Sequence, residues 1–130
     1  MLEVRDLQAG YGHIAAVRGV SLEVQPGEIV CLIGPNGVGK TTTLLSIVGL
    51  VRPSAGQVRF EGQSLLGLAP DRIARLGIGL VPEGRWILAE MTVHENLLMG
   101  AYSRRRDGRE VARDLERVTA LFPVLRERAR

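Results

Sequence analysis

Apolar and polar positions alternate over residues 2–7 (Leu2, Glu3, Val4, Arg5, Asp6, Leu7), which predicts a half-buried strand; a second short strand is expected over 20–24. Pro26-Gly27 marks a turn. Residues 28–33 then form a continuous apolar, β-branched run, the pattern of a strand buried on both faces. Over 42–50 the period becomes helical, with Leu44, Leu45 and Val48 on one face and an expected end near Gly49. Residues 52–56 read as a loop, and 57–60 alternate like an exposed strand. Pro70 suits the first turn of a short helix over 71–76 that Gly77 would end. Residues 78–82 read as another buried strand. Thr92 and Glu95 have capping-box spacing, so a helix is predicted from Val93 to between Met99 and Tyr102. A polar, arginine-bearing loop over 103–108 precedes a last helix over 109–122. Its apolar face would be Val111, Leu115, Val118, Leu121 and Phe122, and Pro123 would end it.

A chain of 130 residues holds one domain at most, and 45% apolar with 24% charged residues is ordinary for a soluble globular protein. No signal peptide is expected, because the first residues run directly into a strand pattern. Between Ile29 and Val51 only Lys40 is charged, but Gly34, Pro35, Asn36, Gly37 and Gly39 interrupt the run and argue against a membrane span. The single cysteine, Cys31, lies on the predicted buried strand and reads as a small core residue in a cytoplasmic setting. Net charge is +3, spread unevenly: residues 101–130 carry nine arginines against five acids. Arg109, Arg113 and Arg117 alternate with Glu110, Asp114 and Glu116, the pattern of a solvated helix face laced with i,i+3 and i,i+4 pairs. With few aromatics to stack on bases, nucleic-acid binding is disfavoured. His13 and His94 have no partners at metal-ligand spacing and read as surface or capping-region residues.

The most specific chemistry lies in Gly34-Pro35-Asn36-Gly37-Val38-Gly39-Lys40-Thr41, which matches the phosphate-binding loop, G-x-x-x-x-G-K-[ST]. Lys40 is the only lysine; the sixteen other basic residues are arginine. A phosphate nest of backbone N–H groups needs a thin, flexible ammonium where a planar guanidinium would not pass. Predicted strand, glycine loop and helix N-terminus together aim N–H groups and the positive end of the helix dipole at an anion. In this pattern Lys40 reaches the outer phosphates and the Thr41 hydroxyl ligates Mg²⁺. A plain glycine-rich turn between strand and helix would explain the glycines but not the lysine.

With these segments in place the chain resembles the ATP-binding subunit of an ABC transporter. The resemblance rests on the phosphate loop extended to Thr42, on Tyr11-Gly12 upstream of it, and on Gly77-Ile78-Gly79-Leu80-Val81-Pro82-Glu83-Gly84-Arg85 followed by Met91-Thr92-Val93-His94-Glu95-Asn96-Leu97. It implies ATP and Mg²⁺ as ligands, with Tyr11 stacked on adenine and Gly34, Pro35, Asn36, Gly37, Val38, Gly39, Lys40, Thr41 and Thr42 around the phosphates. Catalytic roles would fall to Lys40 and Glu83, and metal ligation to Thr41 and Glu83. Most of the family has glutamine where Glu83 stands; Val-Pro-Glu-Gly-Arg resembles one of the two ATPase subunits of bacterial branched-chain amino-acid importers. The exchange keeps a ligating oxygen and adds charge. Trp86, Ile87, Leu88 and Met91 lie where the family docks its permease, though Leu88 and Ala89 replace the usual phenylalanine and proline; a buried core reading of the same residues is open.

The implied fold is α/β, a P-loop NTPase of ABC type: an antiparallel β subdomain, then the start of the parallel core sheet and of the helical subdomain. No Leu-Ser-Gly-Gly run and no strand ending in Asp-Glu follows the loop. Residues 1–130 are therefore expected to be the N-terminal portion of one such domain, able to clamp ATP but not to hydrolyse it alone. Expected partners are transmembrane permease subunits and a second ATPase subunit, on the cytoplasmic face of the bacterial inner membrane. The competing readings are a non-hydrolysing nucleotide-binding remnant and the ATPase of a urea or amide importer.

Overall fold

The computed structural model describes residues 1–84, 86–104 and 107–128. The chain divides into two compact units, Met1–Leu80 and Val81–Arg130.

The first unit is built on an antiparallel sheet of order β2-β1-β3-β4, with β1 Leu2–Tyr11, β2 Ile14–Val24, β3 Pro53–Phe60 and β4 Gln63–Ser64. Strand β1 runs four residues beyond the alternating segment because a bulge resets its parity. Asp6 has a φ of 47° and the register with β2 shifts between Val4 and Leu7. In an uninterrupted strand Val4 and Leu7 would face opposite sides; the extra residue brings Val4, Leu7 and Ala9 all inside. Gly56 receives the bulge: its φ is 93°, and a Cβ there would lie 2.5 Å from the Asp6 carbonyl oxygen.

Helix α1 (Lys40–Ile47) packs on the face of this sheet made by β1 and β2. It buries Thr42, Thr43, Ser46 and Ile47, whereas Leu44 is 43% exposed. Of the expected apolar face of Leu44, Leu45 and Val48, Leu45 packs against the core while Leu44 is turned outward. Two of the three buried hydroxyls are satisfied locally: Thr43 Oγ1 donates to the Gly39 carbonyl at 2.9 Å and Ser46 Oγ to the Thr42 carbonyl at 2.8 Å. The helix ends where expected, with the Leu50 N–H on the Leu45 carbonyl at 2.9 Å. Ile47 joins Val4, Leu7, Val17, Val58, Leu65 and Ile73 in one core. Ile73 comes from helix α2 (Pro70–Arg75), which begins at the predicted proline and carries an Asp71–Arg75 ion pair of 3.2 Å.

Two expected strands do not form. Residues 28–33 make no ladder; Ile29 is 91% and Ile33 93% exposed, and Cys31 is exposed as well, so it is not a core residue. Residues 78–82 are likewise irregular, with Val81 96% exposed. A two-faced strand exists only where neighbours complete its hydrogen bonds and cover its side chains. Among the described residues no segment pairs with either run, so the observed sheet is the antiparallel part of the expected fold without the start of a parallel one.

The second unit is helical: α3 Val93–Gly100, a 3₁₀ turn over Tyr102–Arg104, α4 Gly108–Leu121 and α5 Pro123–Glu127. The capping box at α3 is complete, the Glu95 N–H reaching Thr92 Oγ1 at 3.2 Å and the Thr92 N–H reaching Glu95 Oε2 at 2.8 Å. Asp107 caps α4 by accepting from the Glu110 N–H at 3.2 Å. Val111 is buried, but Leu121 and Phe122 are exposed, short of the expected apolar face. Pro123 ends α4 as predicted and also opens α5, since its fixed φ suits a first helical position. The expected i,i+3 and i,i+4 lacing along α4 is absent among the described residues; Arg104 instead takes Asp114 at 2.6 Å and Glu110 at 4.0 Å. Arg105 and Arg106 of the predicted loop lie outside the described residues.

Leu7→Ala is expected to destabilise the first unit by about 2–5 kcal/mol in urea unfolding, and Ile33→Ser to stay within about 0.5 kcal/mol. Equal losses would place residues 28–33 in the core after all. The Thr92 backbone N–H, and then its hydroxyl, hold the Glu95 carboxyl below its ordinary value. Its folded pKa is thus below the unfolded one, so the contribution to α3 is present above the unfolded value and is lost as pH falls through the folded value. An acid titration of helicity should lose this step in Glu95→Gln, and an unchanged acid limb would contradict it.

Candidate phosphate-binding site

Residues 34–39 run into the N-terminus of α1, and Gly39 sets the junction. Its φ is 100°, and a Cβ there would lie 2.5 Å from the Ala16 carbonyl oxygen and 3.0 Å from Val17 Cγ2. Only glycine lets the loop back onto strand β2 at this point. The first intrahelical bond runs from the Thr43 N–H to the Gly39 carbonyl at 2.8 Å. The N–H groups of Lys40, Thr41 and Thr42 therefore precede any helical acceptor, and no side chain caps them. They are donors at the positive end of the helix, the arrangement that receives an anion.

The Lys40 ammonium donates to the Gly34 carbonyl at 2.7 Å and to the Pro35 carbonyl at 2.8 Å. It therefore lies across the loop, six residues back along the chain, with one of its three N–H bonds left to point elsewhere. Asn36, Gly37 and Val38 form the exposed rim. Thr41 is exposed, so its hydroxyl is accessible; Thr42 is buried and can offer the loop only its backbone N–H.

Tyr11 ends β1, opposite Ile14 in the hairpin, and is 53% exposed. Gly39 packs on Ala16 of the same hairpin, so the sheet brings Tyr11 and the loop to one end of the first unit. Glu83 belongs to the second unit, where it is exposed in a turn. Its neighbour Arg85 lies outside the described residues. His13 sits exposed in the turn after Tyr11 and His94 exposed in the first turn of α3, as read from the sequence. Among the described residues no three His, Cys, Asp or Glu side chains gather as a metal cage.

In the second unit Trp86, Ile87, Leu88 and Met91 are 72%, 65%, 45% and 40% exposed, which removes the buried-core reading. The residue that sequence reasoning missed is Asn96. Its amide bridges the Leu88 backbone in both directions, accepting from the N–H at 2.9 Å and donating to the carbonyl at 3.0 Å, and it reaches the Met91 and Thr92 carbonyls. Asn96 thereby holds the exposed apolar loop in one shape. The available signal was an amide four residues after the Thr92 cap, in the first turn of a helix that follows the apolar segment 86–91.

Loop, lysine and helix terminus on this α/β framework define a phosphate-loop nucleotide-binding protein. The chain belongs to the ABC transporter family, whose profile matches residues 17–128. It is 44% identical over 128 residues to BraG of Pseudomonas aeruginosa, a high-affinity branched-chain amino acid transport ATP-binding protein, covering 98% of this chain and 54% of BraG. It is 40% identical over 108 residues to LivG of Escherichia coli, of the same description, covering 83% of this chain and 42% of LivG. A solved ATP-binding subunit of an ABC transporter overlays 98% of the chain and 52% of its own length, at a TM-score of 0.85 and 34% identity. A bacterial ABC transporter cassette solved as a dimer overlays 89% of this chain and 55% of that one, at a TM-score of 0.75 and 28% identity. The chain spans about half the length of the curated relatives it matches. No described helix is long and apolar enough to cross a membrane.

Proposed function

We propose that the chain is the nucleotide-clamping portion of an ATP-binding subunit that energises a bacterial branched-chain amino-acid importer, residues 1–130 forming the N-terminal part of one ABC domain. The observation that carries this reading is the Lys40 ammonium, held across the loop by the Gly34 and Pro35 carbonyls at the N-terminus of α1. The transport assignment is supported by the 44% identity to BraG along nearly the whole chain.

In this reading the backbone N–H groups of Lys40, Thr41 and Thr42 bind phosphate oxygens, and Lys40 adds the mobile counter-charge. Tyr11 stacks on the adenine, a contact worth about 1–3 kcal/mol. Thr41 offers its hydroxyl oxygen to Mg²⁺, which would supply positive charge against the outer phosphates; a metal-ligating oxygen for Glu83 follows from the family resemblance. Glu83 serves as the carboxylate counterpart of the family's usual glutamine. No Asp-Glu pair follows the loop within these 130 residues, so positioning of the nucleotide is assigned to this chain and activation of the attacking water is not. The exposed Trp86, Ile87, Leu88 and Met91, shaped by Asn96, form the surface offered to a permease subunit, and a second ATPase subunit completes the nucleotide site. The protein would work peripherally, at the cytoplasmic face of the inner membrane.

Lys40→Ala is expected to weaken binding of a fluorescent ATP analogue by about 10- to 100-fold, the loss of a charge-assisted contact. Glu83→Gln keeps a ligating oxygen, so binding should survive with an altered Mg²⁺ dependence. Parental affinity in Lys40→Ala would remove the proposal; complete loss in Glu83→Gln would remove the role given to that oxygen.

A further inference from the structure

Away from the loop, α4 carries three arginines that make no ion pair among the described residues. Arg109, Arg113 and Arg117 are spaced four residues apart, so they share one helix face over about 12 Å. All three are exposed. The acids that would ordinarily offset them are engaged elsewhere: Asp114 and Glu110 lie on Arg104, at 2.6 and 4.0 Å. Glu116, exposed beside the row, makes no ion pair among the described residues; counted with Arg104, Glu110 and Asp114, the four arginines exceed the three acids by one charge. The helix's packed residues, Val111, Leu115 and Val118, lie on the opposite side. The surrounding segment reinforces the sign, with nine arginines against five acids in residues 101–130.

The chemistry of this face selects among anionic partners. It has no aromatic ring on which a nucleic-acid base could stack. It has no large apolar side chain to fill a pocket at the centre of a protein interface; Ala112 and Glu116 flank the arginines, and Ala120 follows them. A convex row of guanidiniums without pocket or anchor suits a contact driven by charge and tolerant of geometry, which an anionic bilayer surface provides. We propose that the Arg109–Arg113–Arg117 face of α4 binds the anionic phospholipid headgroups of a membrane surface directly. This inference does not rest on nucleotide binding.

The test is co-sedimentation of the full chain with vesicles of phosphatidylglycerol and phosphatidylcholine, against phosphatidylcholine alone. Binding to the anionic vesicles only, lost on raising the salt from about 50 mM to 500 mM, is expected. R109Q/R113Q/R117Q should weaken it by roughly fivefold per arginine, about a hundredfold in all. R18Q/R52Q/R72Q, which removes the same charge from the first unit, should weaken it far less. Equal binding to neutral vesicles, no loss in the α4 variant, or an equal loss in the second variant would overturn the proposal, as would tighter binding of polyglutamate or single-stranded RNA than of the vesicles. Far-UV dichroism and nucleotide affinity of the α4 variant should match the parent, which separates this outcome from failure of the nucleotide reading.

Discussion

Everything proposed for the phosphate loop depends on how closely its end approaches the antiparallel sheet. Gly39 lies where any side chain would collide with the Ala16 carbonyl, and the buried face of α1 is made of Thr42, Thr43, Ser46 and Ile47. Three of those four carry hydroxyls, short enough to let helix and sheet come together and able to satisfy themselves on the helix's own carbonyls or lie within its first turn. The anion-binding end of α1 is therefore positioned by the sheet beneath it. Residues 28–33, the segment leading into the loop, contribute little to that positioning, being exposed and without a ladder. The bulge at Asp6 serves the same arrangement, because it turns Leu7 and Ala9 toward the core that Ile47 completes.

Apolar residues outside that core follow a common logic. Ile29, Ile33 and Val81 belong to runs whose composition suits strands covered on both faces, yet they stand in solvent. Composition specifies what a segment needs, and the partners that meet the need are a separate matter. The exposed Trp86, Ile87 and Leu88 differ in being held: Asn96 ties the Leu88 backbone from both sides, so this patch has a defined shape without a covering layer. A shaped, exposed apolar loop has the character of an interaction surface.

The parts legible in the sequence were those governed by local chemistry. The start of α2 at Pro70, the Thr92–Glu95 capping box, the end of α1 near Gly49 and the phosphate loop all depend on residues within a few positions of one another. What was misread depends on residues far apart. The full length of β1 was hidden by a bulge that reverses its alternation, the buried face of α1 by a preference for leucine over threonine, and the fate of 28–33 and of Cys31 by missing strand partners. The ion pairs of α4 were misassigned for the same reason: spacing alone favoured partners on the helix, while Arg104, from the preceding turn, captured both acids. Around the loop, the start of α1 at Lys40 was readable and the strand expected before it was not; Asn96 was missed because its four contacts reach backbone atoms rather than any motif.

The central claim is that the backbone N–H groups at the start of α1, with Lys40, receive the phosphates of a nucleotide. Amide hydrogen exchange resolved to single residues tests it most directly. The N–H groups of Lys40, Thr41 and Thr42 have no helical acceptor and should exchange rapidly in the free chain. On adding Mg-ATP these three, with Gly37 and Gly39, should slow by at least about tenfold, the mark of new acceptors at that end of the helix. Nucleotide binding that leaves those amides as fast as before, and protects a different segment, would contradict the account.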